Sequence, residues 1–489
     1  MENRQDNVSI PYEELSVQQK HILDIVSTHI RKPKAERKKE QLTCIITGDA
    51  GSGKSTLILL IKALLDEKRF KENSFNFIVS SFTGISAKQI HGFTLHHSFG
   101  LPLNIPKNQE ERDKFISTWR KSSACARLKS VQFIVIDELS FLGQEYFILI
   151  EKLLRVANPD QARTPFAGVS VILTGDIFQL LPIKQRPLFY PADLHPAYKL
   201  YSRLYPSFVL ETIFRQSGQS PEQIQYRQFL KRLRHKKCNQ DDVQLIRTRR
   251  EITLPQVERD EFKDALRVFP YRIEVAGYNY NTLVDRFPGK IIKIDCYQKF
   301  LYLAEGCKVI FTQNIPYLLY HGVTNSTVAT VTAIILKHGR EAVEQCDVRD
   351  VVAVDVEIET KQGIKPVTVV PSLCPNNTIP LALAYAVTIH RCQGIQLNKA
   401  VVHLGKQEFT TNADYIIFSR VRRLNDIMIG DTFVDDDRLI GRVCNIGDYV
   451  ESESMRLKGL QHRCYKEGNI VNYLSKRSLG FYQSNGIRS

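Results

Sequence analysis

The stretch LTCIITGDAGSGKSTLILLIKALL, residues 42–65, decides the fold. LTCIIT (42–47) is short, apolar and rich in β-branched residues, so it predicts a buried strand. KSTLILLIKALL (54–65) predicts a helix. Between them, GDAGSGKS (48–55) fits the pattern G-x-x-x-x-G-K-[ST]. Gly48 and Gly53 free the backbone to curl, so the loop Asp49, Ala50, Gly51, Ser52 can turn N–H groups toward phosphates. The helix that starts there points its positive end the same way. Lys54 is expected to pair with the β- and γ-phosphates of a nucleotide. Ser55, with Thr56 beside it, is placed to hold Mg²⁺. A bare Gly-rich turn is the alternative, but a strand before and a helix after are the context a phosphate loop requires.

Similar apolar runs recur at FNFIVSSF (75–82), VQFIVID (131–137) and VSVILTGD (169–176). Strands apolar on both faces and alternating with helices predict a parallel sheet covered on both sides, hence an α/β fold. Residues 15–30 space their apolar positions as a helix, and the basic stretch 31–39 after it reads as a solvated loop rather than a phosphate contact. Residues 101–124, with two prolines and a charged helix, interrupt the rhythm and read as an insertion. A second α/β rhythm begins near Phe208. VATVTAIIL (328–336), VVAVDVEIET (351–360) and VTVVPS (367–372) alternate and are rich in Val and Thr, which predicts a small antiparallel β module over 316–378. Beyond Asp437 the chain turns polar and basic.

Composition narrows the class. The chain has 489 residues, 43% hydrophobic and 24% charged, enough to build substantial cores in about three domains. The net charge of +15 points to a polyanionic partner, or merely to a basic protein. Ten cysteines stand singly with no C-x-x-C pair, so a zinc site or redox dithiol is not expected and reduced thiols in an intracellular setting are. No apolar run approaches a membrane span. Residues 1–14 have neither the apolar core of a secretory signal nor the pattern of a transit peptide.

Two further segments carry chemistry. FIVIDE (133–138) is an apolar strand ending in two acids. Asp137 is expected at Mg²⁺, and Glu138 is placed to accept a proton from an attacking water. A kinase has no need of the second acid, so the pair favours hydrolysis. In GDIFQLLP (175–182), Asp176 and Gln179 can report on a γ-phosphate; a polar turn explains that segment equally well.

The ordered set GDAGSGKS (48–55), FTGISAKQIHGFTLHHSFG (82–100), IDELSFLG (136–143), LTGDIFQLLPI (173–183), FRQ (214–216), VTIHRCQGIQL (387–397) and YIIFSRV (415–421) resembles superfamily-one DNA helicases. It is most similar to the petite-integration-frequency (PIF) helicases, cousins of RecD. EKLLRVANPDQARTPFAGVSVILTGD (151–176) resembles that family's signature.

The resemblance covers about residues 15–435 and implies two RecA-like P-loop domains with parallel sheets. The first would span 1–207, with a wedge insertion at 101–124. The second would span 208–315 and 379–437, interrupted by a Src-homology-three-like β module at 316–378. A basic segment, 438–489, would follow. The implied activity is ATP hydrolysis with Mg²⁺, driving 5′-to-3′ movement on single-stranded DNA and unwinding of forked or tailed duplex in replication, repair or recombination. By the same resemblance Gln19 reads the adenine edge, and Arg215 and Arg420 reach the γ-phosphate from the second domain. Thr83, His96, Thr388 and His390 contact the backbone of the strand. Phe82, Phe99 and Phe178 lie beside them, to stack on bases or to fill the core. His97 is expected to be a satisfied structural histidine. The nine cations of 227–250 are either an electrostatic footprint or a solvated face.

Three departures point to a divergent member, of viral or mobile-element type; the expected setting, intracellular, is a nucleus or a viral replication site, and does not follow from these residues. Asn325-Ser326 stands where the family has Asn-Gly, Arg391-Cys392 where it has Lys-Ser, and Phe166-Ala167-Gly168 where it has Phe-Gly-Gly. An RNA-preferring helicase, a DNA-binding protein with a retired ATPase and a small-molecule kinase are the competing readings.

Overall fold

Six strands with apolar middles form one parallel sheet: β1 (Thr43–Gly48), β2 (Asn76–Ser81), β3 (Phe93–Thr94), β4 (Val131–Asp137), β5 (Ser170–Gly175) and β6 (Ser207–Leu210). Their order is β3-β2-β4-β5-β1-β6. Every residue of β5 is buried, as a strand covered on both faces must be. The computed structural model describes residues 12–466 apart from 192–194, 298, 320–321, 326, 338, 340–343, 361–362, 406–409, 411, 431–438 and 440–445. Ser326 and the basic residues 467–489 therefore lie outside the described residues.

The expected helices are present. α1 (Val17–Arg31) starts at a reciprocal cap: the Ser16 side chain accepts from the Gln19 backbone N–H while the Gln19 side chain accepts from the Ser16 N–H. The basic stretch expected as a loop instead forms α2 (Lys34–Lys39). Its Arg37 is buried over the Phe75 ring and donates to the Ile30 carbonyl and to Gln132. An internal anchor thus sits where charge counting suggested a solvated run. α3 (Lys54–Lys71) follows the phosphate loop.

The chain forms two compact units, residues 1–218 with 443–489, and residues 219–442. The boundary expected at 207/208 falls later because β6 pairs with β1 in the first sheet. The C-terminal helix Ile446–Lys466 also belongs to the first unit, packing on β6. β6 is the edge strand, and its open groups are covered: Ser207 donates to the Leu457 carbonyl at 2.7 Å, and Gln461 accepts the Val209 N–H. Tyr201, Glu453 and Arg456 form a buried hydrogen-bonded group, Tyr201 Oη to Glu453 Oε1 being 2.6 Å. Val450 and Leu457 add apolar burial, each worth about 1.5–3 kcal/mol.

The second unit holds a parallel sheet made of β7 (Leu266–Phe269), β16 (Ala386–Thr388), β17 (Ala400–Val402) and β18 (Ile427–Ile429), ordered β16-β7-β17-β18. Between β7 and β16 lies the β module: β8 (Ile292–Asp295), β9 (Phe300–Leu303), β10 (Lys308–Phe311), β11 (Val328–Leu336), β12 (Gln345–Asp347), β13 (Val351–Thr360), β14 (Gly363–Val369) and β15 (Leu381–Leu383). A five-stranded antiparallel sheet, β14-β13-β11-β10-β15, shares one core with the three-stranded sheet β12-β8-β9. The module is thus wider than 316–378. KVIF and LAL are too short to show an alternation, and only their antiparallel pairing with neighbours assigns them to it.

In the segment expected as a wedge, helix Gln109–Trp119 is anchored by Trp119, whose ring N–H donates to the Phe99 carbonyl at 2.7 Å.

Candidate nucleotide and strand-binding residues

The turn after β1 is built for anions. Gly51 (φ +85°) and Gly53 (φ +81°) adopt left-handed backbone, and Gly53 caps α3. A side chain on Gly51 would meet the Arg215 Cβ at 2.6 Å. The Lys54 ammonium donates to the carbonyls of Gly48 (2.8 Å) and Asp49 (2.9 Å). Burial pushes Lys54 below its ordinary range, against the pull of Asp176, Asp137, Asp49 and Glu138. Ser55 is exposed at the start of the helix with Thr56 half-buried behind it, and Ala50 and Ser52 are buried in the loop.

Gln19 is brought to this loop. It is 1% exposed, its amide oxygen takes the Ser16 N–H at 2.9 Å and its amide nitrogen donates to the Gly53 carbonyl at 3.3 Å. Both ends of the amide are engaged by backbone. Arg215 corrects an expectation. It lies in the first unit rather than the second, because the N–H groups of Phe214 (2.8 Å) and Arg215 (3.3 Å) both bond to the Gly51 carbonyl. The segment carrying it is laced to the phosphate loop itself.

The carboxylates follow the next strands. Asp137 ends β4 and accepts from the Thr174 hydroxyl. Burial raises its pKa, opposed by that bond and by Lys54. Glu138 takes a left-handed φ of +62°, which is rare outside glycine and turns its side chain off the strand direction. Its Oε1 accepts from Ser86 at 3.0 Å. After β5, Asp176 is fully buried, accepting from the Phe178 N–H at 3.1 Å and from Gln179 at 3.3 Å. The Gln179 amide oxygen, with the hydroxyls of Thr47, Ser52, Ser81 and Ser140, is buried without a hydrogen-bond partner. All five lie at or just past the carboxyl ends of β1, β2, β4 and β5. Orphaned polar atoms are costly, so their concentration along one edge marks a place shaped for a polar ligand.

Thr83 and His96 belong to the same unit. Thr83 caps the short helix α4 (Gly84–Gln89). His96, on α5 (Leu95–Phe99), is half-buried against Phe82 (5.8 Å) and Tyr146 (5.4 Å), both edge-on. Burial lowers its pKa. Phe99 and Phe178 are core residues, at 0% and 3% exposure; Phe82 is half-buried. His97 is not the structural histidine expected. It is exposed and stacked on Phe93 at 4.9 Å, and Phe93 is itself 60% exposed on the outermost strand. Sequence reasoning missed this pair, although an apolar residue in a two-residue edge strand was a usable signal.

In the second unit, Thr388 ends β16 and His390 follows it on helix Ile389–Cys392. Burial and the nearby Arg272 charge lower the pKa of both His390 and Arg391. Arg272, just beyond β7, joins Arg391 in a pair of cations beside His390 that the motif reading did not include. Arg420 is 3% exposed and donates to the Ile416 carbonyl and the Ser419 hydroxyl, both at 2.9 Å. Of the cations in 227–250, Arg232 forms a two-point ion pair with Asp242, and buried Arg249 donates to the carbonyls of Ile427 and Asn425. That part of the cluster is internal scaffolding.

Comparison with known proteins fits these features. Residues 14–244 match the family model described as PIF1-like helicase. The chain is 25% identical over 400 residues to the ATP-dependent DNA helicase Pif1 of Bdellovibrio bacteriovorus, covering 77% of this chain and 81% of that protein. It is 26% identical to the ATP-dependent DNA helicase PIF1 of Emericella nidulans over 82% of this chain, but spans only 58% of that longer relative. The structure of a Bacteroides Pif1 helicase in complex with ADP-AlF3 and ssDNA shares the fold, with a TM-score of 0.60 at 20% identity over 89% of this chain and 97% of that one. The phosphate loop, the acid pair after β4 and the signature segment all lie inside the residues that match the PIF1-like helicase model.

Proposed function

We infer that this protein is an ATP-dependent DNA helicase, hydrolysing ATP to move 5′ to 3′ along single-stranded DNA and separate forked or tailed duplex. The carrying observation is the carboxyl edge of the first sheet. One half-buried lysine, Lys54, lies in the field of four carboxylates there, beside a left-handed glycine loop and a row of unpartnered polar atoms. Such an edge suits a nucleotide's phosphates at a helix N-terminus.

In this reading Gly48, Asp49, Ala50, Gly51, Ser52 and Gly53 wrap the phosphates with backbone N–H groups, and Lys54 pairs with them. Gln19 braces the loop through Gly53 and borders the adenine. Ser55 and Asp137 hold Mg²⁺, which needs only one or two protein ligands beside phosphate oxygens and waters. Mg²⁺ supplies charge neutralisation on the phosphates. Glu138 takes the proton of the attacking water, and Gln179, tied to Asp176, responds to the γ-phosphate. Arg215 and Arg420 stabilise the charge that develops in transfer. Thr83, His96, Thr388 and His390 hold the strand's phosphates. The Phe93–His97 pair offers a stacking face to a base. The site of action is where DNA is handled, a nucleus or a viral replication site.

The test is ATP turnover with and without a single-stranded oligonucleotide, with RNA of equal length as comparator. Strong DNA stimulation is expected, followed by unwinding of a 5′-tailed duplex. No stimulation by either nucleic acid would favour the retired ATPase, and equal or stronger stimulation by RNA the RNA-preferring reading.

A further inference from the structure

Three side chains of the first unit form a chain of hydrogen bonds running inward. Thr83 Oγ1 lies 2.9 Å from Ser86 Oγ, and Ser86 Oγ lies 3.0 Å from Glu138 Oε1. Thr83 is half-buried, while Ser86 (2% exposed) and Glu138 (8%) are buried. We propose that Ser86 is a positioning residue, through which a nucleic-acid strand bound at Thr83 controls the carboxylate of Glu138.

The proposal rests on the roles given above to Thr83 and Glu138, and it follows from counting protons. An ionised carboxylate only accepts hydrogen bonds, so the single Ser86 proton goes to Glu138. The proton between the two hydroxyls must then come from Thr83. Thr83 Oγ1 in turn accepts the Ser86 backbone N–H at 3.2 Å. Thr83 therefore has one proton, and it is committed to Ser86. A phosphodiester oxygen is also only an acceptor, so Thr83 can bind the strand only by turning that proton outward. Ser86 then loses its donor, and the bond it makes to Glu138 weakens, because donors in a chain strengthen one another. Before the strand binds, one oxygen of Glu138 is held against α4. After it binds, that carboxylate is freer to turn to water. Hydrolysis is thereby low until a strand is present.

Two variants of graded effect test this, using ATP turnover with and without saturating oligo(dT). Ser86→Ala releases Glu138 permanently. Turnover without DNA is expected to rise by roughly 10-fold or more, as loss of one hydrogen bond to a charged group allows, and the DNA-stimulation ratio to fall by a similar factor. Thr83→Val removes the same donor that Ser86 loses when a strand binds, so turnover without DNA is expected to rise, by less than in Ser86→Ala, and the stimulation ratio to fall even at saturating DNA. Thermal melting and oligonucleotide anisotropy report separately on folding and affinity. A wild-type stimulation ratio in either folded variant overturns the relay. A Glu138→Gln protein that still hydrolyses ATP would instead remove the catalytic assignment, a different failure visible in a different variant.

Discussion

The carboxyl edges of the two parallel sheets are built from the same kind of strand and carry opposite chemistry. The first gathers Lys54 among Asp49, Asp137, Asp176 and Glu138, with unpartnered oxygens at Thr47, Ser52, Ser81, Ser140 and Gln179. The second sets His390 and Arg391 near Arg272, and burial, with the Arg272 charge, lowers the pKa of both. A mixed-charge edge with buried acids is suited to moving a proton and placing a metal. An edge of crowded cations is suited to holding phosphates. In the proposed function, one fold rule, ligands at the carboxyl ends of parallel strands, serves chemistry in one unit and grip in the other.

The largest effects should come from the chemical edge. Lys54→Ala is expected to cut ATP turnover at least about 10³-fold, with oligonucleotide binding by anisotropy retained. Arg215→Ala and Arg420→Ala should each cost a comparable factor, as arginines that meet transferring phosphate do. Substantial hydrolysis in Lys54→Ala would break the comparison at its first half.

The gripping edge predicts a smaller change. Arg391→Ala or Arg272→Ala should weaken single-strand affinity about tenfold and reduce the salt slope by about one, since each removes one phosphate contact. Affinity and slope both unchanged would show that this edge faces something other than phosphate. Phe93→Ala in the first unit should cost about 5- to 10-fold in affinity, and the loss should vanish on an abasic strand, because stacking needs a base.

Acidity separates the edges further. Burial and Arg272 hold His390 below the ordinary histidine value, so it is neutral at pH 7 and gains charge only on acidification. Strand affinity should therefore tighten by roughly threefold as pH falls through and below the ordinary histidine value, one added ion pair's worth. The trend should flatten in His390→Asn. The same shift makes protonation unfavourable to the folded state, so any stability from neutral His390 is present above the ordinary value and lost below it.

The smallest effect lies behind the first edge, in the signature turn that leads into β5. Phe166 and Ala167 have φ of +51° and +52° and Gly168 has +73°, three left-handed residues in a row. Glu151 holds this turn by accepting the Phe166 N–H at 3.2 Å. Ala167→Gly relieves about 1–2 kcal/mol of left-handed strain and costs about 0.4–1 kcal/mol through a freer unfolded chain. A net gain of roughly 0.5–1 kcal/mol is expected in denaturant unfolding, with ATP turnover unaffected. A loss would mean that the methyl packs better than its backbone suffers.

The sequence by itself determined the parallel sheet of the first unit, the phosphate loop and the acid pair. Each is a local signal: β4 runs Val131–Asp137 as its apolar residues dictate, and Gly51 and Gly53 take the left-handed backbone their composition allows. Only the tertiary structure decided what depends on a distant partner. β6 joined the first sheet through pairing with β1, and β10 and β15 joined the β module through pairing with β11 and with each other. Arg215 came to the phosphate loop through the Gly51 carbonyl, and His97 left the core to stack on Phe93. The bond from Ser86 to Glu138 joins residues 52 apart in the chain. Periodicity and spacing record which face of an element is apolar and where the backbone can turn. They do not record which hydroxyl faces which carboxylate, because that is set by the packing of whole elements against one another.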